Sequence, residues 1–151
     1  MKSRSPDSVS ESAAAVPVRE VEELTAAEAL ELLGSVGLGH IVFTQHALPA
    51  VRPVNHLVEG GDIIVRPHEG ATLAALMGAE EGTGVVVAYE AGTIDPETHL
   101  GWSVVATRYV TAVTDPRELE RYAHLLQQWV GGTFPGAVRI MPALVTGFRL
   151  R

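Results

Sequence analysis

Three β-rich runs joined by two very short polar turns occupy residues 39–66 and leave few possible folds for this part of the chain. The first two runs, GHIVFTQ and AVRPVNHLV, flank a QHALP turn, and the third, IIVR, follows an EGGD turn. Connections this short join antiparallel neighbours, because a parallel crossover needs a dozen or more residues. Pro53 lies inside the second run, where its missing N–H favours an edge or bulge position. The segment therefore predicts three antiparallel strands in sequence.

The rest of the chain supplies further strands. GVVVAYE at 84–90 is a continuous apolar run, typical of a strand buried on both faces or nearly so, and GWSVVATRYVTAV at 101–113 predicts a long strand. AVRIM and LVTGFRL predict two closing strands. About six or seven strands, mostly in hairpins, indicate a mainly β fold, in which an antiparallel sheet closes into a β-barrel with peripheral helices.

Three helices are predicted from capping signals and periodicity. Thr25 and Glu28 have the spacing of a capping box at the start of LTAAEALELLG, and ATLAALMGA predicts a second short helix. Asp115 as N-cap and Pro116 at the first helical position begin the third. The residues that then recur at helical spacing should form its apolar face: Leu119, Tyr122, Leu125, Leu126 and Trp129.

One domain is expected, because 151 residues suit a single core. Residues 1–22 are rich in Ser, Ala and Pro and lack an apolar core of signal-peptide length, so they should form a disordered tail ahead of a folded domain at 23–151. No apolar run approaches the roughly 20 residues of a membrane span. The formal net charge of −7 opposes general binding to nucleic acid or to an anionic membrane.

Several classes of site are excluded by the residue types present. The chain has no cysteine, which rules out disulfides, thiolate catalysis and cysteine-ligated metals and fits a cytoplasmic location. The six histidines show no HExxH or other tight ligand spacing, so no metal site is predicted. Lys2 is the only lysine, so a phosphate site in the folded part must use arginine, hydroxyl or backbone N–H groups.

The end of the third β-rich run has the composition of an anion site. Arg66 is followed by PHEG and then by a helix start, where backbone N–H groups and the helix dipole favour negative charge. A guanidinium would add a bidentate fork suited to phosphate, and Thr72 would add a hydroxyl. The alternative is an arginine that is solvated at the rim or paired with Glu69, and residue types alone favour this alternative.

Other side chains have more than one possible role. Trp102 could stack on a planar ring or pack at a subunit interface, although core packing is the commoner fate. His68 and His99 lie in predicted loops, where each could be an acid–base group or a haem ligand, or simply be solvated. No P-loop, GxGxxG or serine-nucleophile motif accompanies them, so these residues alone name no reaction.

Taken in order, several segments resemble the pyridoxamine 5′-phosphate oxidase-like family, the FMN-binding split barrels. The resemblance covers about residues 24–150, is carried mainly by LPAVRPVN, GDIIVR and GWSV, and looks most like the small actinobacterial members. It implies a six-stranded antiparallel split barrel and a homodimer that binds two FMN molecules between its subunits. The implied reaction is hydride transfer between the flavin and a small-molecule substrate, and no catalytic residue is identified.

The same resemblance implies which residues contact the cofactor. The flavin phosphate would lie where the third strand meets the second helix, so Arg66 would bind it. Val54 and Asn55 would line the ring, and Trp102 and Ser103 would approach the ring or the ribityl chain. The full set of expected cofactor-binding residues is Val54, Asn55, Arg66, Pro67, His68, Thr72, Trp102 and Ser103.

This chain departs from the family pattern Arg-Thr-x-x-Gly-x-Lys-Leu at that strand end. Thr72 stands in place of the lysine that touches phosphate, and Pro67 lacks a hydroxyl and an N–H. A charge-assisted hydrogen bond contributes about 1.5–3 kcal/mol, so losing one would weaken binding by about tenfold to a hundredfold. A protonated His68 could compensate, whereas Glu69 adds a negative charge.

Alternative functions stay open. The same fold could bind a deazaflavin of the F420 type or haem, and some proteins that resemble this family use each. Candidates for the anionic tail of F420 are Arg52, Arg108 and Arg139, and either His68 or His99 could be an axial haem ligand. The chain could also be a non-enzymatic, dimeric binding module, which the missing lysine favours. Oxidation of pyridoxamine phosphate itself is disfavoured, because the substrate-phosphate residues of true oxidases are not recognised near the C-terminus.

Overall fold

The computed structural model describes residues 20–77, 85–126 and 134–151. Within these ranges the chain forms eight strands and three helices, and none of these helices is long and apolar enough to cross a bilayer. The helices are α1 (Ala26–Gly34), α2 (Gly70–Met77) and α3 (Pro116–Leu125). The strands are β1 (Val21–Glu23), β2 (Leu38–Gln45), β3 (Leu48–Glu59), β4 (Asp62–Arg66), β5 (Val85–Ile94), β6 (Gly101–Ala112), β7 (Val138–Ile140) and β8 (Leu144–Leu150).

Six of the strands close into an antiparallel barrel. Around the barrel the order is β6-β5-β2-β3-β4-β7, and β7 pairs again with β6. β8 pairs with the first part of β6, and β1 pairs with β8, so these two strands extend the sheet beyond the barrel. The prediction of a mainly β fold, a six-stranded antiparallel split barrel with peripheral helices, is confirmed.

Strand β6 changes partner at a residue with an unusual backbone conformation. Its first part pairs with β8 as far as Thr107–Leu144, and its last part pairs with β7 from Val110–Ile140. Between the two ladders, Arg108 has a backbone φ of 128°, a value that residues other than glycine rarely adopt. This residue marks the point at which one strand serves two ladders and the sheet divides.

The predicted run of three antiparallel strands is present as β2, β3 and β4. His46 and Ala47 both have positive φ in the turn between β2 and β3, and Gly60 and Gly61 have it between β3 and β4. Two consecutive residues of positive φ give a turn whose twist matches that of the flanking strands. Pro53 pairs with β2 but lies beyond the reach of β4, so it occupies the predicted edge position.

The main core fills the barrel and continues beneath α1. The capping box predicted at Thr25 and Glu28 is present. Ala29 and Leu33 of α1 are completely buried. They belong to the same apolar cluster as the inward-facing residues of the strands, which include Ile41, Phe43, Val54, Val65, Val87, Tyr89, Trp102 and Val104.

One strand differs from its predicted environment. β5 was expected to be buried on both faces, but its residues alternate: Val87 and Tyr89 are buried, whereas Val86 is 58% exposed. The strand lines the barrel with one face and leaves the other at the surface, so the prediction of two buried faces is wrong. β5 also continues to Ile94, four residues beyond the end of the predicted strand at 84–90.

A second, smaller core lies outside the barrel, beneath α3. It consists of buried and partly buried apolar residues: Leu57, Ile64, Val113, Leu119, Tyr122, Leu126, Phe134 and Ala137. Ion pairs surround it. Arg139 contacts Asp62 at 3.3 Å and Glu118 at 2.5 Å, and Arg121 donates two hydrogen bonds of 2.7 Å to Glu59. These contacts hold α3 on the outer face of β3, β4 and β7.

Helix α3 begins as predicted, but its buried apolar face contains fewer residues than the sequence pattern predicted. Asp115 is its N-cap and Pro116 its first residue. Tyr122 and Leu126 are buried, but Leu125 is 57% exposed. Placing Leu125 on the apolar face was wrong, because successive helical residues turn by about 100° and its neighbour already occupies the buried position.

Two predictions fall partly or wholly outside the described residues. The disordered tail was placed at 1–22, and residues 1–19 are not described. Strand β1 begins at Val21, two residues ahead of the predicted boundary at 23, and pairs with β8. Trp129, the last residue of the expected apolar face of α3, also lies outside the described ranges.

Substituting Gly39 by alanine is expected to lower the free energy of unfolding by about 1–3 kcal/mol, because overpacking a core forces side chains or backbone to shift. A Cβ at this position would lie 2.5 Å from the Tyr89 hydroxyl and 2.7 Å from the carbonyl oxygen of Glu90. Urea unfolding measures the effect. Gly37→Ala is the matched control, because its Cβ would meet nothing within 4 Å. Equal losses in the two variants would contradict this account.

Candidate functional site

Arg66, the last residue of β4, is buried, with 5% of its surface exposed. In the ladder between β3 and β4 it lies opposite Asn55, so the two side chains are on the same face of the sheet. That face is the outer one, because Leu57 and Ile64, each two residues away along its strand, pack beneath α3. An arginine solvated at the rim, the alternative that residue types favoured, is therefore wrong.

The guanidinium of Arg66 contacts the C-terminal end of α3. One of its Nη groups donates a hydrogen bond to the carbonyl oxygen of Leu126, the C-cap residue of that helix. Its Cζ lies 4.7 Å from the centre of the Phe134 ring. Both contacts favour the protonated form of Arg66. The Leu126 carbonyl lies at the negative end of the α3 dipole, and the Phe134 ring presents its electron-rich face to the cation. Burial lowers the pKa of Arg66, which nevertheless stays protonated near neutral pH.

Asn55 contributes a buried acceptor beside this cation. Its Oδ1 atom is shielded from solvent and accepts no hydrogen bond in the part of the chain that the structure describes. Leaving a buried polar atom without a partner costs about 1–3 kcal/mol. The atom is therefore suited to accept an N–H from a bound molecule.

The residues after β4 lead into α2 and are mostly covered. Pro67 is fully buried, and Thr72 is 4% exposed on the inner side of α2. Burial and the positive charge of Arg66 lower the pKa of His68, and Glu69 opposes them. A protonated His68, which could have replaced the missing lysine, is thus disfavoured near neutral pH.

The other expected cofactor contacts are divided between two faces of the sheet. Val54 and Trp102 point into the barrel and belong to the main core, where Trp102 is 9% exposed. Ser103 follows Trp102 and therefore points outward. There, with Thr146 and Phe148, it lines an open cavity of about 470 Å³ between β6, β8 and β1. Within one subunit, Trp102 and Ser103 are not brought to the same point.

Ser103 and Arg66 nevertheless belong to one row across the outer face. Ser103 lies opposite Gly92 in the β5–β6 ladder, and Leu38 lies opposite Asn55 in the β2–β3 ladder. The β2–β5 ladder ends at the pair His40–Glu90. Leu38 and Gly92 each lie two residues beyond that pair on their own strands, so they lie on the same face and continue the row. The row from Arg66 to Ser103 spans five strands, or roughly 19 Å at about 4.8 Å per strand.

This outer face carries many exposed apolar side chains around a central His40–Glu90 pair. Large apolar side chains with at least 37% of their surface exposed occur on five of its strands and on β1: Val21, Leu38, Val51, Val86, Ile94, Tyr109, Leu144 and Phe148. Apolar patches of this extent on a protein surface mark sites for a ligand or another protein. The face and the Arg66–Asn55 pair at its edge form the candidate site.

A buried polar pair inside the barrel was missed by the sequence interpretation. Tyr89 donates its hydroxyl proton to Nδ1 of His56 at 2.5 Å, and Nε2 of His56 donates to the Leu33 carbonyl oxygen at 2.8 Å. These roles require a neutral imidazole with its proton on Nε2. Burial lowers the pKa of His56 and raises that of Tyr89. The pair links α1 to the barrel wall, and its separation in the chain gave no local signal.

The residues considered for other cofactors are dispersed. Arg52 and Arg108 lie on β3 and β6, and Arg139 is ion-paired on the side of α3. His99 is exposed in the loop after β5, whereas His68 follows β4. Among the described residues no group of three or more His, Asp or Glu side chains could hold a metal ion.

Comparison with known proteins agrees with this architecture. Residues 25–149 match the sequence model of the family described as pyridoxamine 5′-phosphate oxidase. The chain is 48% identical over 132 residues to the uncharacterized protein Rv0080 of Mycobacterium tuberculosis, and the match covers 87% of each chain.

Two solved structures are also similar. A protein from Corynebacterium glutamicum, provisionally named a pyridoxamine 5′-phosphate oxidase, is 31% identical with a TM-score of 0.69, over 86% of this chain and 98% of that one. An FAD binding protein from Mycobacterium smegmatis is 28% identical with a TM-score of 0.64, over 87% of this chain and 100% of that one. From the extent of the family match and these identities, the chain belongs to the pyridoxamine 5′-phosphate oxidase family.

Proposed function

We propose that this protein binds FMN on the outer face of its barrel and, as a cytoplasmic homodimer, uses it for hydride transfer to or from a small molecule. The observation that carries the proposal is the pair formed by Arg66 and Asn55, a buried cation beside a buried acceptor without a donor among the described residues. Membership of the family and the similarity to an FAD binding protein support a flavin as the ligand.

The phosphate end of the cofactor would be held at Arg66. A guanidinium carries five N–H donors in a planar fork that matches phosphate oxygens, and one Nη group of Arg66 bonds the Leu126 carbonyl oxygen. Helix α2 begins at Gly70, four residues later, and its first N–H groups add donors of the kind that bind phosphate. Thr72 is buried and His68 has a lowered pKa, so neither replaces the charge of the lysine that this chain lacks.

The flat ring would lie along the row that leads from Asn55 towards Ser103. Gly92 has no side chain and Leu38 is half exposed, so this stretch of the face offers an apolar surface for a planar ligand. The Oδ1 atom of Asn55 would accept a hydrogen bond from a ring N–H, which would satisfy the acceptor that has no donor among the described residues.

A second copy of the chain would complete the site. The exposed apolar residues of β5, β6 and β8, which include Val86, Tyr109 and Phe148, continue beyond the row that would hold the cofactor. Burying such a surface stabilises association by about 25 cal/mol per Å² before the costs of ordering. The partner would cover the ring and exclude water from it.

The bound flavin would supply the hydride chemistry, while the chain supplies binding, orientation and exclusion of water. No acid–base side chain is assigned to the reaction. The absence of cysteine fits the cytoplasmic location in this proposal, because the chain has no disulfide that would need an oxidising compartment.

We expect purified protein to retain a yellow cofactor or to bind added FMN at tens of micromolar or below, and to elute as a dimer. Absorbance and mass spectrometry identify a copurifying molecule, and titration with FMN, FAD, F420 and haem ranks the ligands. FMN binding to the native state must also raise the melting temperature. A stable dimer that responds to no flavin would refute the proposal and favour a binding module without a redox role.

A further inference from the structure

We infer that Phe134 is a positioning residue for the anion site, because its ring holds the Arg66 guanidinium in the orientation in which it meets a phosphate. The inference rests on the proposed function, since the phosphate in question is that of the bound flavin. Phe134 lies in the segment before β7 and does not itself line the row of residues that would contact the ring system.

Two contacts of different kinds with Leu126 and Phe134 constrain the guanidinium. The hydrogen bond to the Leu126 carbonyl fixes the position of one Nη group, and the Phe134 ring at 4.7 Å from Cζ provides a face for the planar group to rest on. A free arginine side chain has many rotamers, and this freedom must be lost when it binds an anion in a fixed geometry. A guanidinium already ordered by its neighbours loses less.

An aromatic ring is well suited to this role. A carboxylate would also hold the guanidinium, but it would neutralise the charge and compete with the phosphate for the same N–H groups. A ring face attracts the cation through its π-electrons and itself takes up none of the N–H donors. The aromatic contact thus helps to order Arg66 without itself using an N–H group or neutralising the charge.

Phe134 also packs in the second core, so its removal loosens α3 as well as Arg66. The two effects are separable by comparison with a residue of the same core. Leu119 packs against that core from α3 and takes part in neither the Leu126 hydrogen bond nor the Phe134 ring contact of Arg66. Leu119→Ala therefore reports the effect of a looser second core alone.

The test is the affinity for FMN and for riboflavin, which lacks the phosphate, in full-length Phe134→Leu, Phe134→Tyr and Leu119→Ala proteins. Phe134→Leu is expected to weaken FMN binding by about threefold to tenfold, the range of one partly desolvated cation–π contact, and to leave riboflavin binding unchanged. Phe134→Tyr keeps the ring and should bind FMN within about twofold of the unaltered protein. Leu119→Ala should not discriminate between the two ligands.

Each other result overturns the inference. Equal losses for FMN and riboflavin in Phe134→Leu would mean a structural role only, as would a selective loss of FMN in Leu119→Ala. Unchanged FMN binding in Phe134→Leu would remove the role altogether. If the unaltered protein binds neither FMN nor riboflavin, the proposed function itself is refuted. The titration of the unaltered protein therefore distinguishes that failure from a failure of the role of Phe134.

Discussion

Replacing Arg66 by methionine is expected to weaken FMN binding by about tenfold to a hundredfold, since a hydrogen bond to a charged group contributes about 1.5–3 kcal/mol. Methionine keeps an unbranched stem of similar length, so the packing of the buried side chain is largely retained. Riboflavin should bind the variant with less than about a threefold loss, because it has no phosphate for the guanidinium to contact. Fluorescence titration of each flavin measures both affinities.

Arg121→Met is the matched control for this substitution. Arg121 also stacks on an aromatic ring, with its Cζ 4.7 Å from the centre of Tyr122, and it is ion-paired with Glu59. It lies on α3, away from the row between Arg66 and Ser103, so its loss should leave FMN affinity unchanged. Arg66→Lys should fall between the unaltered protein and Arg66→Met, because it keeps the charge but not the planar fork. FMN affinity that is insensitive to both changes at Arg66 would exclude this residue as the phosphate contact.

Replacing His56 by leucine is expected to lower the free energy of unfolding by about 2–4 kcal/mol, because each buried polar group left without a partner costs about 1–3 kcal/mol. The substitution leaves the Tyr89 hydroxyl and the Leu33 carbonyl oxygen without the bonds that His56 makes to them. Urea unfolding at pH 8 measures the loss, where the imidazole is neutral in both states. A variant as stable as the unaltered protein would show that the buried pair contributes nothing net.

The same residue should make the unaltered protein sensitive to acid. Burial lowers the pKa of His56 in the folded state below its ordinary value of about 6.5, so the unfolded chain binds the proton more tightly. The contribution of the neutral ring is complete above that ordinary pKa and is lost as the pH falls through 6.5 towards the folded value. Among the residues that the structure describes, the ring hydrogen-bonds to the Tyr89 hydroxyl and the Leu33 carbonyl oxygen, and neither group is charged between pH 5 and pH 8.

The variant isolates this effect from the titration of other groups. Between pH 8 and pH 5 the unfolding free energy of His56→Leu should fall less steeply than that of the unaltered protein. Tyr89→Phe is the control, because it removes the hydroxyl but keeps the titrating imidazole, so it should lose stability at every pH and keep the steeper slope. Parallel slopes for His56→Leu and the unaltered protein would contradict the assignment.

The parts of the fold that the sequence predicted are those that depend on neighbouring residues. The capping box of α1 and the first turn of α3 require groups three residues apart or fewer, and the turn at Gly60 and Gly61 requires two residues that tolerate positive φ. Short turns then force antiparallel pairing, and enough antiparallel strands close into a barrel. Arg66 was placed at a strand end before a helix by the same local reasoning, and the structure has it there.

Sequence periodicity also contained information that the prediction did not use. Trp102 and Ser103 are consecutive residues of a strand, so they must point to opposite faces, and both could not approach the same point of a ligand from one subunit. The exposed face of β5 was missed for a different reason: a continuous apolar run does not reveal which of its faces will be covered, since that depends on elements elsewhere in the chain.

The sequence by itself therefore determined the strands from β2 onward, the turns of the first hairpins, the starts of α1 and α3 and the presence of a cation ahead of a helix N-terminus, but not β1. Only the tertiary structure decided what that cation touches, because Arg66 and Leu126 are 60 residues apart and meet only when α3 packs on the outer face of β4. Barrel closure likewise brings Tyr89 to His56, 33 residues earlier in the chain. Contacts of this kind depend on strand register and helix packing, which are set by the burial of apolar surface over the whole molecule and not by any local pattern.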